Sequence, residues 1–342
     1  MRIPIIAADF IIDEINASTG NYSRTEQFAD KLLEKLLSKA GSPQYSSALF
    51  VGTTVGGLDR SENEYISAKK SEEIIPEKFS RHEAGKMTEF LAKKYKFENH
   101  YAISTACSSG LHAIGLAKQA IEKGIYDFAV AIGTDALCEL TQKGFDSLML
   151  LDKSGTAHPF DKNRTGIKLG EGAGGVVLIS PKLYENAEFF IAGSGSSCDA
   201  YHATAPHPTG DGAISAINQA IKSAGITPCD IDWICSHATG TLDNDSAEIK
   251  AYKAVFGDKI PPFMSFKGKI GHTLAASGAI ETAMAINAMR NEIIPETLGF
   301  SEIDEEIGTA PNTKQTNCKA KYVLKVSFGF GGNNAAIIIE KK

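Results

Sequence analysis

A cysteine lies at the point where a strand-like run gives way to a helix-like one. The stretch ISTACSSGLHAIG, residues 103–115, places Cys107 among small residues, and the apolar positions after it keep helical spacing up to Gly124. Backbone N–H groups and the dipole at a helix N-terminus stabilise a thiolate and lower the pKa of a thiol. Cys107 is therefore either a nucleophile or a small residue in a tight turn, because free cysteine is often simply packed in the core.

Two histidines in the second half of the chain lie in turns of the same kind. The stretch SHATGTLDND, residues 236–245, places His237 at the end of a strand-like run, and FKGKIGHTLAASGAIE, residues 266–281, places His272 ahead of a helix-like one. A Gly-rich turn, SFGFGGNNA, separates two further strand-like runs. A single histidine is most often structural, but two histidines in turns that mirror the cysteine turn favour a functional role.

Short apolar runs rich in β-branched residues alternate with amphipathic runs along the chain. This alternation is typical of an α/β protein whose sheet is covered by helices on both faces. Strands are predicted over residues 47–54, 128–134, 174–180, 189–196, 231–241, 322–328 and 335–340. Helices are predicted over residues 25–41, 109–124, 211–225 and 277–292.

A weak internal repeat divides these elements into two related halves. LLEKLLSKAG leads into SALFVGTTVGG in the first half, and INQAIKSAG leads into WICSHATGT in the second. The Cys107 turn and its helix correspond in the same way to IGHTLAASGAIETAMAI. We predict an N-terminal half at residues 1–185 that carries the cysteine and a C-terminal half at residues 186–342 that carries the histidines. They should pack as one unit, because no Pro- or Ser-rich linker separates them.

The composition argues against several classes of protein. The net charge of −6 argues against broad nucleic-acid binding, and the chain has no run of about 18 apolar residues that could span a membrane. The six cysteines are too sparse for a disulfide scaffold and show no CxxC spacing, so no metal site is expected. A reduced, cytoplasmic protein without a signal peptide is the simplest interpretation.

Four motifs of the chain, in their order, resemble those of the β-ketoacyl-acyl-carrier-protein synthases, the decarboxylating condensing enzymes of the thiolase superfamily. The motifs are TACSSG, HATGT, a lysine five residues before a histidine, and GFGG followed by asparagine. The resemblance also covers residues 157–178 and 196–210, and it runs from about residue 45 to the C-terminus. It implies an α/β thiolase-like fold in which two pseudo-symmetric halves form an α/β/α/β/α arrangement.

The resemblance also implies catalytic roles for five residues. Cys107 would take an acyl chain from the phosphopantetheine arm of an acyl carrier protein as a thioester. His237 and His272 would stabilise the enolate that remains when a malonyl extender loses carbon dioxide. Lys267 and Glu281 match a buried pair that supports the second histidine.

The substrate-binding residues implied by the resemblance lie in the HATGT motif, in the Gly-rich closing turn SFGFGGNNA, and at one phenylalanine of the first half. They are Thr239, Thr241, Gly329, Phe330, Gly331 and Phe145. The two threonines would hydrogen-bond the pantetheine arm, although from sequence alone they could equally be turn formers. Phe330 would act as a gate hinged on its flanking glycines, and its backbone N–H, with that of Cys107, would form the oxyanion hole. Phe145 would line the acyl pocket or pack near it.

Partners are implied in the same way. An acyl carrier protein would bring the phosphopantetheine, so the chain would need no cofactor of its own. The working unit would be a homodimer or a heterodimer with a related ketosynthase. The run HYAIST, residues 100–105, is the predicted edge strand through which two chains would pair.

The front of the chain departs from the family pattern, and it leaves one alternative open. MRIPIIAADFII would serve as the first strand, with the cap segment that follows it in the family largely absent. This departure favours a specialised polyketide- or polyene-type pathway over housekeeping fatty-acid synthesis.

A thiolase would need a second cysteine in its closing turn, and a coenzyme A-primed synthase would have asparagine in place of His272. The alternative is a chain-length-factor-like partner subunit, although such partners usually lose the nucleophile and Cys107 is retained.

Overall fold

The computed structural model describes residues 1–12, 15, 22–43, 46–184 and 186–342. Its strands are β1 (Ile3–Ile12), β2 (Ser47–Gly52), β3 (Asn99–Ile103), β4 (Phe128–Asp135), β5 (Gly172–Ile179), β6 (Phe189–Cys198), β7 (Trp233–Cys235), β8 (Phe263–Met264), β9 (Ile293–Ile294), β10 (Thr316–Asn317), β11 (Tyr322–Gly329) and β12 (Asn333–Lys341). Its helices are α1 (Arg24–Ala40), α2 (Leu58–Ser71), α3 (Ala84–Tyr95), α4 (Ser109–Glu122), α5 (Glu139–Ser147), α6 (Asp211–Ala224), α7 (Leu242–Phe256), α8 (Lys267–Ile270) and α9 (Ser277–Arg290). Among the described residues, no helix has both the length and the apolarity that crossing a membrane requires.

One mixed sheet connects the two halves of the chain. Its order is β3-β2-β4-β5-β1-β6-β12-β11-β7-β8, so each half runs outward from the centre in the same order. The strand directions repeat as well. In each half the three outer strands are mutually parallel, and the remaining neighbours are antiparallel. This repeated topology confirms the prediction of a thiolase-like fold with two pseudo-symmetric halves.

The two halves are joined at the centre of the sheet by their first strands. Residues 3–5 of β1 pair antiparallel with residues 189–191 of β6. The prediction that MRIPIIAADFII contains a first strand is therefore confirmed. The predicted division into residues 1–185 and 186–342 falls on residue 185, which lies outside the described residues, and that boundary stays a prediction.

Helices α4 and α9 are packed between the sheet halves, where they share an apolar core with inward residues of both. Helices α1 and α3 cover the outer face of the first half, and α6 and α7 cover that of the second. Helix α4 packs closely against the turn that leads into α9, since a Cβ added at Gly110 would lie 2.6 Å from the Ala275 carbonyl oxygen. This contact brings the turn that carries Cys107 against the turn that follows His272.

Most predicted elements are present with small changes at their ends. The four predicted helices correspond to α1, α4, α6 and α9. The strand predicted over residues 231–241 is wrong beyond Cys235, where β7 ends. Backbone N–H groups of the following segment bind carboxylates on α7 instead of a neighbouring strand. The segment that leaves the sheet is the one that carries His237.

Candidate active site

Cys107 is buried in the turn between β3 and α4. The turn is tight, because Ala106 adopts a left-handed φ of 52° and the N–H of Thr105 donates to Ser109 Oγ at 2.8 Å. The Gly-rich turn after β11 packs directly against it. A Cβ added at Gly329 would lie 2.7 Å from the Thr105 carbonyl oxygen. Glycine is therefore needed at this position for the second turn to reach the thiol.

Burial dominates the electrostatics of this thiol. It raises the pKa of Cys107 to about 12, while the charge of Lys267 and the backbone N–H groups of Phe330 and Cys107 act in the opposite direction. The N–H groups at the helix N-terminus act to lower this pKa, as expected, but lost hydration outweighs them in the resting site. Both N–H groups nevertheless donate toward Sγ, where an oxyanion hole for a sulfur-bound acyl group would need them.

A loop held by carboxylates positions His237. Glu248, buried on α7, accepts the N–H groups of His237 and Ala238 at 2.8 and 2.7 Å. Ala238 takes a left-handed φ of 37°. Asp245, one turn earlier on α7, accepts the N–H of Gly240 at 3.3 Å. These bonds draw the backbone away from β7, and His237 becomes part of a cavity wall.

The start of α9 fixes His272. Its Nδ1 lies 2.9 Å from Ser277 Oγ, and a hydrogen bond donated by that hydroxyl leaves the proton of the neutral ring on Nε2. The His237 and His272 rings are nearly perpendicular, with centroids 5.3 Å apart. Burial, reinforced by the charge of Lys267, lowers the pKa of both rings well below the usual histidine value. Both imidazoles are therefore neutral at physiological pH.

Three buried charged side chains lie close to the two histidines. Lys267 Nζ is 2.6 Å from Glu281 Oε1, so the structure places together the pair that the resemblance implies. Lys325 Nζ is 2.5 Å from Oε2 of the same carboxylate. Sequence reasoning missed Lys325, although a lone lysine inside the apolar run YVLKVSF was a usable signal.

Asp135 is a second residue that sequence reasoning missed. Its buried carboxylate accepts the N–H of Ala275 at 2.8 Å, the N–H of Val55 at 2.9 Å and the hydroxyl of Thr53 at 2.7 Å. Asp135 thus ties the turn after His272 to the first half of the chain. Its partners are far apart in sequence, so no local pattern could reveal the role.

The cysteine and both histidines line one cavity of about 310 Å³. Its walls also include the predicted substrate-binding residues Thr239, Thr241, Gly329, Phe330 and Phe145. The rings of Phe145 and Phe330 stack with centroids 5.5 Å apart. Gly331 is not a wall residue; it has a left-handed φ of 77° and donates its N–H to the Ala203 carbonyl oxygen at 2.7 Å.

This arrangement suits one kind of chemistry. A buried thiol can carry an acyl group out of contact with water, and backbone N–H groups beside it can hold the acyl oxygen. Two neutral imidazoles can stabilise a second negative charge without giving up a proton. The roles of Lys267 and Glu281 stay predictions; their buried pair stands beside the rings rather than in the cavity wall.

Comparisons with known proteins agree with this chemistry. Residues 9–182 match the β-ketoacyl synthase N-terminal domain, and residues 189–301 match the β-ketoacyl synthase C-terminal domain. The chain is 33% identical over 319 residues to 3-oxoacyl-[acyl-carrier-protein] synthase 2 of Rhizobium meliloti, and the match covers 87% of this chain and 75% of the relative. It is 32% identical over 340 residues to the synthase 2 of Coxiella burnetii, with 93% and 80% covered.

Two solved structures share the fold and a modest sequence identity. One, described as the ishigamide ketosynthase/chain length factor, has a TM-score of 0.90 and 28% identity, and covers 96% of this chain and 84% of its own. The other, a ketosynthase in complex with its chain length factor from Xenorhabdus doucetiae, has a TM-score of 0.86 and 27% identity, with 100% and 98% covered. The chain therefore belongs to the β-ketoacyl synthase family and is a condensing enzyme of the acyltransferase type.

Proposed function

We propose that this chain joins an acyl group held on Cys107 to a malonyl extender held on an acyl carrier protein, and releases carbon dioxide and a β-ketoacyl carrier protein. The observation that carries the proposal is the convergence of one thiol and two neutral imidazoles on a single cavity. The names of the relatives, which are 3-oxoacyl-[acyl-carrier-protein] synthases, support the choice of carrier.

The first half-reaction is an exchange of thioesters. The Cys107 sulfur attacks the carbonyl carbon of the incoming acyl thioester, and the oxygen takes up negative charge between the N–H groups of Cys107 and Phe330. The C–S bond to pantetheine then breaks. The proton that leaves the Cys107 thiol ends on the departing pantetheine sulfur, so the exchange is neutral overall. Burial raises the pKa of the thiol, which favours loss of this proton during the attack.

The second half-reaction forms the new carbon–carbon bond. The malonyl carboxylate leaves as carbon dioxide, and its electron pair passes into an enolate whose oxygen accepts hydrogen bonds from His237 and His272. The enolate carbon attacks the acyl carbon on Cys107. The Cys107 thiolate leaves and takes up one proton from solvent, which is the proton that the overall condensation consumes. Thr239 and Thr241, whose hydroxyls lie 3.0 Å apart on the cavity wall, would hold the pantetheine arm.

Phosphopantetheine would be supplied by the carrier, so this chain would hold no cofactor of its own. The stacked rings of Phe145 and Phe330 occupy the cavity wall, with the left-handed Gly331 beside them as the hinge. All six cysteines lie among the described residues and are free thiols, which supports a reducing, cytoplasmic location.

The direct test supplies acyl and malonyl carrier proteins to the purified chain and follows both products. Carbon dioxide release together with a β-ketoacyl carrier protein, identified by mass, would support the proposal. The same assay without the acyl donor separates decarboxylation from condensation. Absence of both products, with a carrier shown to be active with another ketosynthase, would refute it.

A chain-length-factor-like partner subunit is the second candidate, because the descriptions of both solved structures above name a ketosynthase together with a chain length factor. The two candidate functions differ in the role of Cys107, which is the nucleophile of an active enzyme but has no such role in a partner subunit. Cerulenin, a cysteine-directed inhibitor of condensing enzymes, should label Cys107 of an active enzyme, and peptide mapping would distinguish it from the other five cysteines. A Cys107→Ala variant that is labelled as strongly as the wild type would favour the partner role.

Removing the hydroxyl that orients His272 should weaken the enzyme without dismantling the site. Ser277→Ala removes the hydroxyl that lies within hydrogen-bond distance of His272 Nδ1. The alanine side chain cannot hold the His272 ring in the Nε2–H tautomer. A hydrogen bond of this kind contributes about 0.5–1.5 kcal/mol, and we expect malonyl decarboxylation to fall by about 2- to 13-fold. Carbon dioxide release at saturating malonyl carrier protein measures the effect. An unchanged rate would mean that the ring is held by packing alone.

The open edge of β3 supports the pairing of two chains. β3 is a terminal strand of the sheet, and Tyr101 on it is 42% exposed. The carbonyl of Ile103 accepts the Thr53 N–H of the first half at 3.0 Å, so the neighbouring Ala102 presents its N–H and C=O to the open side. The paired chain would be a second copy or a related ketosynthase.

Ala102→Pro should shift the chain toward the monomer if this edge pairs. Proline removes the outward N–H and is tolerated on edge strands, so the fold should survive. Light scattering at micromolar concentration measures the mass, and circular dichroism controls for folding. A wild-type chain that is monomeric, alone and with its related subunit, would contradict the pairing.

A further inference from the structure

One carboxylate serves two buried ammonium groups beside the histidines. Glu281 on α9 lies 2.6 Å from Lys267 Nζ through one oxygen and 2.5 Å from Lys325 Nζ through the other. All three side chains are buried. Because two ammonium groups share one carboxylate, the formal charge of these three side chains is +1, which is the surplus charge of the cluster.

Lys325 also touches the backbone that leads to His237. Its ammonium donates to the carbonyl oxygen of Val326 at 2.6 Å and, at 3.3 Å, to that of Ser236, the residue before His237. One side chain on β11 is therefore bonded to the segment that carries the first histidine and to the carboxylate that holds Lys267. Lys267 is the first residue of α8, and the second histidine, His272, lies in the loop that follows this helix.

We propose that Lys325 is a positioning residue for the condensation: it holds the His237 segment through Ser236, and its surplus charge keeps both imidazoles neutral while the enolate exists. This inference rests on the proposed function. An imidazolium beside the enolate would transfer its proton to the enolate carbon. The product would then be an acetyl carrier protein, and the Cys107 acyl group would not be consumed. A neutral imidazole stabilises the enolate oxygen but is a much weaker acid.

The electrostatics of the site support this role. Burial is the main cause that lowers the pKa of His237 and of His272, and the charges of Lys267 and Lys325 lower both further. Glu281 keeps Lys325 charged despite burial, since the pKa of Lys325 is raised. Lys267 on α8 and Lys325 on β11 act on both rings, and His272 acts in addition on His237. Of the carboxylates on the neighbouring elements, Glu281 on α9 pairs with both lysines, Glu248 on α7 accepts the N–H of His237, and Asp135 on β4 accepts the N–H of Ala275. Cys107 lines the same cavity as the two rings.

Two variants separate charge from shape. Lys325→Met keeps the length of the side chain and removes the surplus charge. The double variant Lys325→Met/Glu281→Gln removes a second, opposite charge, so the surplus returns on Lys267 alone. Lys118→Met is the matched control, because Lys118 is also fully buried and ion-paired, 2.8 Å from Glu122 at the far end of α4.

The experiment measures, between pH 5 and pH 8, how malonyl carrier protein divides between acetyl and β-ketoacyl products. For Lys325→Met we expect the acetyl share at acidic pH to rise by about 10-fold, the change in imidazolium population that one unit of histidine pKa gives. The double variant should turn over slowly, but its acetyl share should return toward that of the wild type. Lys118→Met should give the wild-type acetyl share at every pH. If Lys325→Met does not fold, Lys325→Gln removes the same charge while it keeps a donor for the Ser236 carbonyl.

Two results would overturn the inference. One is a Lys325→Met enzyme that is slower but divides its products as the wild type does at every pH. The other is a double variant whose acetyl share exceeds that of the single variant, which would mean that packing rather than charge matters. A wild-type chain that forms neither product would instead refute the proposed function, so the two failures are distinguishable.

Discussion

Cys107→Ala is expected to lose acyl loading and condensation completely while it keeps malonyl decarboxylation. Among the described residues that line the cavity, Cys107 is the one cysteine. The acyl-enzyme of the variant should therefore be undetectable by intact mass after incubation with acyl carrier protein. Decarboxylation needs the enolate-stabilising imidazoles rather than the thiol, and both histidines remain in place. Carbon dioxide release from malonyl carrier protein should therefore continue, with an acetyl carrier protein as the product.

Cys235→Ala is the matched control for this prediction. Cys235 is also fully buried, and burial raises its pKa to about 12, as for Cys107. Its side chain belongs to the central apolar core and does not line the cavity. We expect Cys235→Ala to load and condense normally. An acyl-enzyme on Cys107→Ala, or its loss in Cys235→Ala, would show that the nucleophile is misassigned.

The difference between these two thiols was only partly visible in the sequence. The small residues around Cys107 and the helical spacing after it predict a helix start, and α4 begins at Ser109. The repeat of that turn before α9 predicts two pseudo-symmetric halves, and α4 and α9 do share the core between the sheet halves. Local patterns of this kind reflect short-range backbone chemistry, and they are reliable where small residues are required by close packing.

Other features depend on contacts between distant segments. Lys325 and Glu281 come from different elements, and the run YVLKVSF indicates only a buried strand with one lysine. The strand predicted over residues 231–241 ends early because Asp245 and Glu248 on α7 capture its backbone. The pKa of Cys107 is likewise set by the depth of burial, which no local motif encodes.

His237→Ala and His272→Ala are each expected to lower malonyl decarboxylation by about 100-fold or more, the usual cost of removing one preorganised oxyanion donor. Both variants should still acylate Cys107 to a measurable extent, because the acyl oxyanion is held by the N–H groups of Cys107 and Phe330. Acyl-enzyme mass and carbon dioxide release, measured on the same preparation, separate the two half-reactions. Retained acylation also serves as the control for folding of the site.

His272→Asn sharpens this prediction, because asparagine keeps an N–H donor but cannot titrate. We expect it to retain more decarboxylation than His272→Ala. The pKa of both histidines lies well below the usual value, so the wild-type rate should not fall as the pH decreases through the ordinary histidine range. A wild-type rate that halves near an ordinary histidine pKa would mean that the rings titrate in the working enzyme. A His272→Ala enzyme that decarboxylates at the wild-type rate would remove this ring from the reaction, and the Ser277 and Lys267 contacts would then serve the fold alone.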